Sequence, residues 1–458
     1  RFGMTHRFHL WALAPGGLLL TLTGVFVPAM IVGMALPMML YSAGIGLSLP
    51  LALAPFDAWW FAPLPLLAYL LLTRHSSLPR RYARSFLFGL GYYGTGASWV
   101  YVSIHDYGYL PMPVAGLLTL LFVAGMALFF ALPLWLWHRY WQDRPLGVAP
   151  GFAAAWVIGE WYRSWILTGF PWLFVGYSQT GTLAGSWAPL TGVYGISFWL
   201  ALLAASLAVS LQSRQRYWLP VMLLALFAGG GVLLDRIAWT QPVSGKVQTV
   251  ALVQGNVPQQ LKWQPGQREA IRQMYHDLSA PLWQPQQLVV WPEAAIPELY
   301  TPAHSFFGQM AILAQEHHSA LVTGVPSMHY NADGQRVLHN SLLGLGTASG
   351  FYHKQRLVPF GEYVPLQQWL QGLLDFFHMP FSDFRVGPAG QPNLQTGVLE
   401  VASSICYEVA YPELVAQQVG AADVLLTVSN DTWFGASIGP HQHLQMAQMR
   451  ARENGREM

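Results

Sequence analysis

The chain has 458 residues, of which 53% are hydrophobic and only 10% charged, with a formal net charge of +2 and one cysteine, Cys406. An ordinary soluble domain is about 25% charged, so this composition excludes a disordered chain, a coiled coil and a wholly soluble enzyme. The charge gives no broad basic face for nucleic acid, and a lone cysteine excludes a disulfide framework and a multi-cysteine zinc site.

Charge is divided unevenly. Residues 1–235 hold 16 of the 44 charged residues, with Asp57, Asp106, Asp143, Glu160 and Asp235 as the acids; 236–458 hold the other 28. A membrane half is followed by a polar half. Residues 8–56 carry no charge, enough for two spans. With spans at 36–54 and 58–73, residues 1–35 form an N-terminal extension, in which 10–33 is long enough for an additional span. A signal peptide fits poorly, because no polar cleavage region follows. Further apolar stretches at 85–104, 111–137, 148–167, 185–211 and 217–234 bring the bundle over 36–235 to about seven spans. A spanning helix needs about 20 mostly apolar residues, and these stretches show no polar face.

Arginines mark alternate connections: Arg74, Arg80, Arg81 and Arg84, then Arg139 and Arg144, then Arg214 and Arg216. The connections around Asp57, Asp106 and 168–184 have no lysine or arginine. The positive-inside bias places the arginine loops in the cytoplasm and the region from about 240 onward outside it. Glu160 and Arg163, one turn apart, read as an i,i+3 ion pair near an interface.

The polar half changes to short β-rich runs: VQTVALV (247–253), QLVVW (287–291), SALVTGV (319–325), NSLLGLG (340–346), VLEVASSIC (398–406) and DVLLTVS (423–429). Helix-like stretches at 264–282 and 303–317 lie between them. Near-continuous apolar strands alternating with helices indicate an α/β or layered αββα domain. Three loops follow strands and carry reactive types: WPEAAIP with Glu293, HKQRLVPFGE with Lys354, and SICYE with Cys406. Taken singly, each reads as a proline-rich turn, a surface hairpin and an inert core cysteine. Together they supply a base, a cation and a nucleophile at three strand ends.

The order Glu–Lys–Cys resembles the nitrilase (carbon–nitrogen hydrolase) superfamily. Seven spans before such a domain resemble the bacterial apolipoprotein N-acyltransferase family. The match runs from LALAPFDAWW (51–60) through GASWVYVS (96–103), LTGFPWLFVGYSQ (167–179) and LVQGNVPQQLKW (252–263) to SNDTWFG and IGPHQHLQMAQMRARENGR, covering roughly 36–456. The resemblance implies an α-helical multi-span membrane bundle over 36–235 and an extracytoplasmic α/β nitrilase-like αββα sandwich domain over 240–458. In that family the domain continues beyond the MRAxExGR segment to closing strands and a last membrane helix. The chain stops at Met458, so the expectation is a domain truncated at its C-terminal end.

The resemblance also implies roles. Glu293 is the general base, Lys354 stabilises the oxyanion and Cys406 is the acylated nucleophile. Glu362 resembles a second acid holding the lysine, Tyr407 and Glu408 the pair flanking the nucleophile, and Asn430 a supporting residue. Trp263 resembles a tryptophan on a mobile loop near the substrate; Trp433 and Phe434 match an aromatic pair beside the pocket. The implied enzyme is a monomeric multi-pass protein of the bacterial inner membrane with its catalytic domain on the periplasmic side, using no cofactor and no metal. It moves an acyl chain from a phospholipid, phosphatidylethanolamine, through a Cys406 thioester to the α-amine of the diacylglyceryl-cysteine of apolipoproteins. Segments FGEYVPLQQWL (360–370) and LLDFFHMPF (373–381) are candidates for keeping water from the thioester. Lys354→Ala is expected to slow acylation and leave the fold intact.

Three alternatives remain at this level. A membrane-tethered amidase shares the triad and differs in the acceptor. A transporter or receptor would need functional charges inside the bundle, for which Glu160 and Arg163 are the one candidate pair. A metal site would use His441 and His443 or His317 and His318, whose spacing fits no strong zinc signature.

Overall fold

The computed structural model describes residues 37–363 and 384–458, apart from 145–146, 215 and 244. The additional span considered at 10–33 and the segments 364–370 and 373–381 lie outside the described residues.

Seven longer helices make up the first half of the described chain: 37–48, Pro63–Thr73, Leu78–Gly96, Met112–Tyr140, Val148–Arg163, Ala188–Ser213 and Trp218–Leu234. By length and composition, Met112–Tyr140 and Leu183–Ser213 are able to cross a membrane. On the former, Leu117, Leu120, Leu121 and Leu136 are more than half exposed, while Ala127, Phe130 and Ala131 face the core. A helix apolar on its outer face is matched to a hydrocarbon solvent rather than to water.

The arginine cluster departs from the sequence expectation. The third helix begins at Leu78, not near 85, so Arg80, Arg81 and Arg84 lie on it rather than in a loop. Pro79 suits a first helical turn, where its missing N–H costs nothing. The guanidinium groups then turn back to the end of the preceding helix. Arg81 donates to the carbonyls of Arg74 and Ser76, both at 2.9 Å, and Arg84 to that of Leu72. These oxygens have no helical N–H to meet.

Segment 168–184 also differs from a plain loop. Trp172, Phe174 and Val175 are fully buried in the bundle. Non-helical backbone in an apolar bundle needs internal partners. Glu160 supplies one, its Oε1 accepting the Val175 N–H at 2.8 Å and the Trp156 indole N–H at 2.9 Å. Arg163 donates to the Gly159 carbonyl at 2.9 Å and lies over the rings of Tyr93 and Phe174, 5.2 and 5.7 Å from their centroids. Among the described residues, the expected ion pair between Glu160 and Arg163 is therefore not formed, because each charge is committed to the buried segment and its surroundings.

The second half contains two sheets. The first has the order β1 (Thr249–Leu252), β2 (Gln287–Val290), β3 (Ala320–Tyr330), β4 (Arg336–Gly346), β5 (Phe351–His353); β1–β2–β3 are parallel and β3–β4–β5 antiparallel. The second pairs β6 (Leu394–Gln395) antiparallel with β7 (Glu400–Ile405), and β7 parallel with β8 (Val424–Val428). Alternation places both faces of the first sheet in cores. Val289, Trp291 and Leu321 pack under the helices Arg268–Ser279 and His304–Glu316, which contribute Ile271, Tyr275, Phe307 and Met310. Leu288, Val290, Ala320 and Val322 face Val401, Ile405 and Val428 of the second sheet. Helix Pro412–Val419 covers that sheet's other side, with Val415 against Ala402 and Leu425.

The two halves share one core. Tyr407, Tyr411, Leu414, Met446 and Met449 cluster with Trp172, Phe174 and Tyr177 of the bundle. Helix Gly439–Asn454 lies in the seam. Gln442 donates to the Gly96 carbonyl and accepts from the Trp99 indole, at 3.0 and 3.1 Å. Glu453 accepts the Val193 N–H at 2.7 Å, and Arg452 donates to the Thr182 carbonyl at 2.9 Å.

Candidate active site

Three strand ends deliver the reactive groups. Glu293 follows β2, Lys354 follows β5 and Cys406 follows β7. The Glu293 loop lies directly on β3. A Cβ at Gly324 would stand 2.5–2.7 Å from Ala294 N, Pro292 O and Glu293 Cα, so only glycine lets the loop pack this closely.

Lys354 is 1% exposed, and its Nζ stands 3.4 Å from Glu293 Oε1 and 2.9 Å from Glu362 Oε1. Asn340, on β4, bridges the same two oxygens through Nδ2, at 2.8 and 2.9 Å. The far oxygen of Glu293 accepts the Asn430 N–H at 2.9 Å, and that of Glu362 accepts the Val358 N–H at 2.8 Å. Both acids are thus held as fixed acceptors around one cation. Burial alone would push the Lys354 ammonium toward neutrality; the Glu362 and Glu293 carboxylates, with Cys406, override it and hold its pKa well above the usual lysine range.

Cys406 is buried and takes a left-handed backbone, φ +53°. An L-residue other than glycine rarely sits there, and a sharp strand-to-turn corner is a way to present a nucleophile. Burial pushes its thiol pKa well up, and Glu293 adds to the rise; Lys354 opposes it. Burial therefore favours the thiol over the thiolate, and a carboxylate and an ammonium both act on it.

Glu408 ties the Cys406 turn to the lysine loop. Its carboxyl accepts N–H groups of Ile405 at 2.7 Å, Gln355 at 2.5 Å and Arg356 at 3.1 Å, and the Tyr352 hydroxyl at 3.0 Å. Burial pushes its pKa up to about 7, against these donors and Lys354. Tyr407 points the other way, into the bundle: its hydroxyl donates to the Gly169 carbonyl at 2.7 Å, and its ring stacks on Trp172, centroids 5.6 Å apart.

The expected aromatic pair divides. Phe434 packs edge-on against Trp99, centroids 4.6 Å apart, whereas Trp433 is 41% exposed and its carbonyl accepts the Ser103 hydroxyl. Trp263 is half exposed and follows Lys262, whose Nζ donates to the Glu293 carbonyl at 3.2 Å. Of the histidines weighed for a metal, His441, His317 and His318 are exposed, while His443 is buried against Asp431 and Cys406. Asn340, Lys262, Gly324 and His443 are contacts that the sequence reading missed. Asn340 and Gly324 carried only a strand signal, since their partners come through sheet pairing.

The comparisons agree with this architecture. Residues 45–206 match the family model of the apolipoprotein N-acyltransferase N-terminal domain, and 249–456 match that of carbon-nitrogen hydrolase. An apolipoprotein N-acyltransferase of Azotobacter vinelandii is 50% identical over 422 residues, 90% of this chain and 81% of the relative. The chain belongs to the apolipoprotein N-acyltransferase family. Apolipoprotein N-acyltransferases of Pseudomonas aeruginosa and Methylococcus capsulatus are 50% and 40% identical, covering 89% and 90% of this chain and 81% and 82% of theirs. As a member of the family it is a membrane-associated acyltransferase of lipoprotein maturation, built on a carbon–nitrogen hydrolase domain.

Gly324→Ala separates the placement of Glu293 from the bulk of the fold. The added methyl must push the loop outward, an overpacking cost of about 1–3 kcal/mol. Acyl transfer is expected to fall by about 10-fold or more, because a shift of about 1 Å at a base is large on the scale of proton transfer. Steady-state rates beside a thermal melt check this; an unchanged rate with the same melt would show that the loop does not need its present seat.

Proposed function

We propose that this chain transfers an acyl chain by ping-pong catalysis through a thioester on Cys406. Glu293 takes the thiol proton as sulfur attacks the sn-1 ester carbonyl of a phospholipid, phosphatidylethanolamine. Lys354 and the Tyr407 N–H meet the developing oxyanion. The tetrahedral intermediate collapses, the ester C–O bond breaks, and the lysophospholipid leaves with the proton from Glu293. The α-amine of the diacylglyceryl-modified N-terminal cysteine of an apolipoprotein then attacks the thioester. Glu293 takes the amine proton, and the Cys406 thiol is regenerated as the amide forms.

The observation that carries this reading is the convergence of Glu293 and Lys354 on a buried cysteine held at φ +53° at a strand end. Glu362 and Asn340 act as positioning residues for that pair. Trp263, Trp433 and Phe434 line the approach to it, and Tyr407, Glu408 and Asn430 hold its walls. The seven helices serve as spans, and the arginines at and near the helix ends on alternate sides of the bundle support an extracytoplasmic, periplasmic catalytic domain. The enzyme acts as a monomer on two lipid-anchored substrates in turn.

The test is intact-mass analysis of the full chain after incubation with phosphatidylethanolamine labelled in its sn-1 chain. The expected result is one added acyl group, released by neutral hydroxylamine and mapped to the peptide containing Cys406. An adduct on another residue, or transfer to lipopeptide with no adduct on rapid quenching, would refute the thioester.

A further inference from the structure

Glu293 has a buried lysine at each end, and the two are surrounded differently. Lys354 stands among carboxylates, 2.9 Å from Glu362 and 3.4 Å from Glu293. Lys262, 7% exposed, meets Glu293 at its main chain, where Nζ donates to the carbonyl at 3.2 Å. Among the described residues this is its one hydrogen bond, and no carboxylate is ion-paired with it. The Glu293 carboxylate oxygens are taken by Lys354, Asn340 and the Asn430 N–H. An ammonium carries more donors than one contact uses, and a buried charge without a counter-charge is costly. Burial accordingly pulls the Lys262 pKa below the usual lysine range, with Glu293 only partly opposing it, the reverse of Lys354. A cation held in this way is short of an anion.

Its position indicates which anion. Lys262 ends the short helix Gln259–Lys262, whose Gln259 Oε1 accepts from Asn430 Nδ2 at 3.0 Å, so two side chains of one turn fasten it beside the base. Trp263, next in the chain, is 48% exposed, so the segment borders open space. In the reading above, the sn-1 ester carbonyl meets Cys406 and Lys354 next to the Glu293 carboxylate. In a phospholipid only the glycerol backbone separates that ester from the phosphodiester. The lipopeptide acceptor brings no phosphate. We propose that Lys262 is an anion subsite for the acyl donor: its buried ammonium binds the donor's phosphodiester and selects phospholipids over neutral diacylglycerol for acylation of Cys406. The inference rests on the phospholipid-to-Cys406 reading.

The chain has three lysines, Lys246, Lys262 and Lys354, so nitrogen NMR of the full chain labelled at lysine side chains reads the contact directly. It is run on Cys406→Ser, where binding is seen without acylation, and Lys262→Arg or Lys262→Met assigns the signal by removing it. Short-chain phosphatidylethanolamine and phosphatidylmethanol, a phosphodiester with no ammonium, are expected to shift the Lys262 signal, and diacylglycerol of the same chains is not. No shift with either phosphodiester overturns the proposal. A shift with inorganic phosphate alone that neither lipid reproduces assigns the site to a free anion and overturns it too. In single-turnover acylation, the native chain is expected to use the two phosphodiesters about 10- to 100-fold faster than diacylglycerol. In Lys262→Met that preference should fall to within about threefold. Equal slowing with every donor would mean that Lys262 only seats the Glu293 loop, and a native chain without the preference would leave nothing to select; either result overturns the proposal. Absence of an adduct on Cys406 from any donor sinks the thioester reading instead, and the NMR shifts still decide the phosphate contact.

Discussion

Cys406→Ser is expected to abolish the acylated intermediate and to lower N-acylation of lipopeptide by about 10⁴-fold or more. A serine hydroxyl is a far weaker acid than a thiol, so the proposed proton transfer to Glu293 becomes harder. The substitution keeps the shape of the side chain and the corner at φ +53°. Stability should therefore change by no more than about 1 kcal/mol. Single-turnover transfer from labelled phospholipid, run beside a thermal melt, measures both effects. A serine variant with residual turnover above this level would mean that the hydroxyl acts as a nucleophile or that another group does.

The second large effect concerns Lys354, and here the geometry revises the expectation that its loss leaves the fold intact. The ammonium is 1% exposed and stands between Glu293 and Glu362. In Lys354→Met, two buried carboxylates face each other with Asn340 as their shared donor. Removing one partner of a buried ionic cluster costs about 3–5 kcal/mol, and transition-state charge loses its cation, so activity should fall by about 10³-fold. The sign with pH follows from linkage. In the native chain the raised Lys354 pKa gives stability that is complete below the unfolded lysine value of about 10.4 and is lost only as pH rises through the folded value. In the variant the carboxylate pair favours holding a proton, so the folded state binds more protons than the unfolded one. Its deficit should be largest at alkaline pH and shrink as pH falls. Melts of both proteins from pH 5 to 9 check this; a constant difference would show that the two acids do not feel each other.

The parts of this site that were legible in the sequence share one property: their signal is local. Glu293 in WPEAAIP, Lys354 in a chain with three lysines, and Cys406 at the end of VLEVASSIC each stand out within a few residues of a strand. What was not legible depends on pairing across the fold. Asn340 reaches the two acids because β4 runs antiparallel to β3 in the register that sets it opposite Pro326. Gly324 matters because of what lies above it, and His443 because a helix distant in sequence is laid beside Cys406. The roles of Glu160 and Arg163 in the bundle were not legible for the same reason. Apolar length marks helices, but it does not reveal that Glu160 would serve the N–H of Val175 in a buried non-helical segment.

The hydrogen bonds from Tyr407 and Tyr411 to the carbonyls of Gly169 and Thr168 limit how far the chain can be divided into modules. A piece cut between 235 and 249 would keep the triad's amino acids, yet Tyr407, Tyr411, Leu414 and Met449 would lose the neighbours that cover them. Such a fragment would present an oily face next to Cys406, and it should precipitate or bind detergent. Coexpressing both pieces should recover function only to the extent that they reassociate, so the membrane half is part of the catalyst's scaffold as well as its tether.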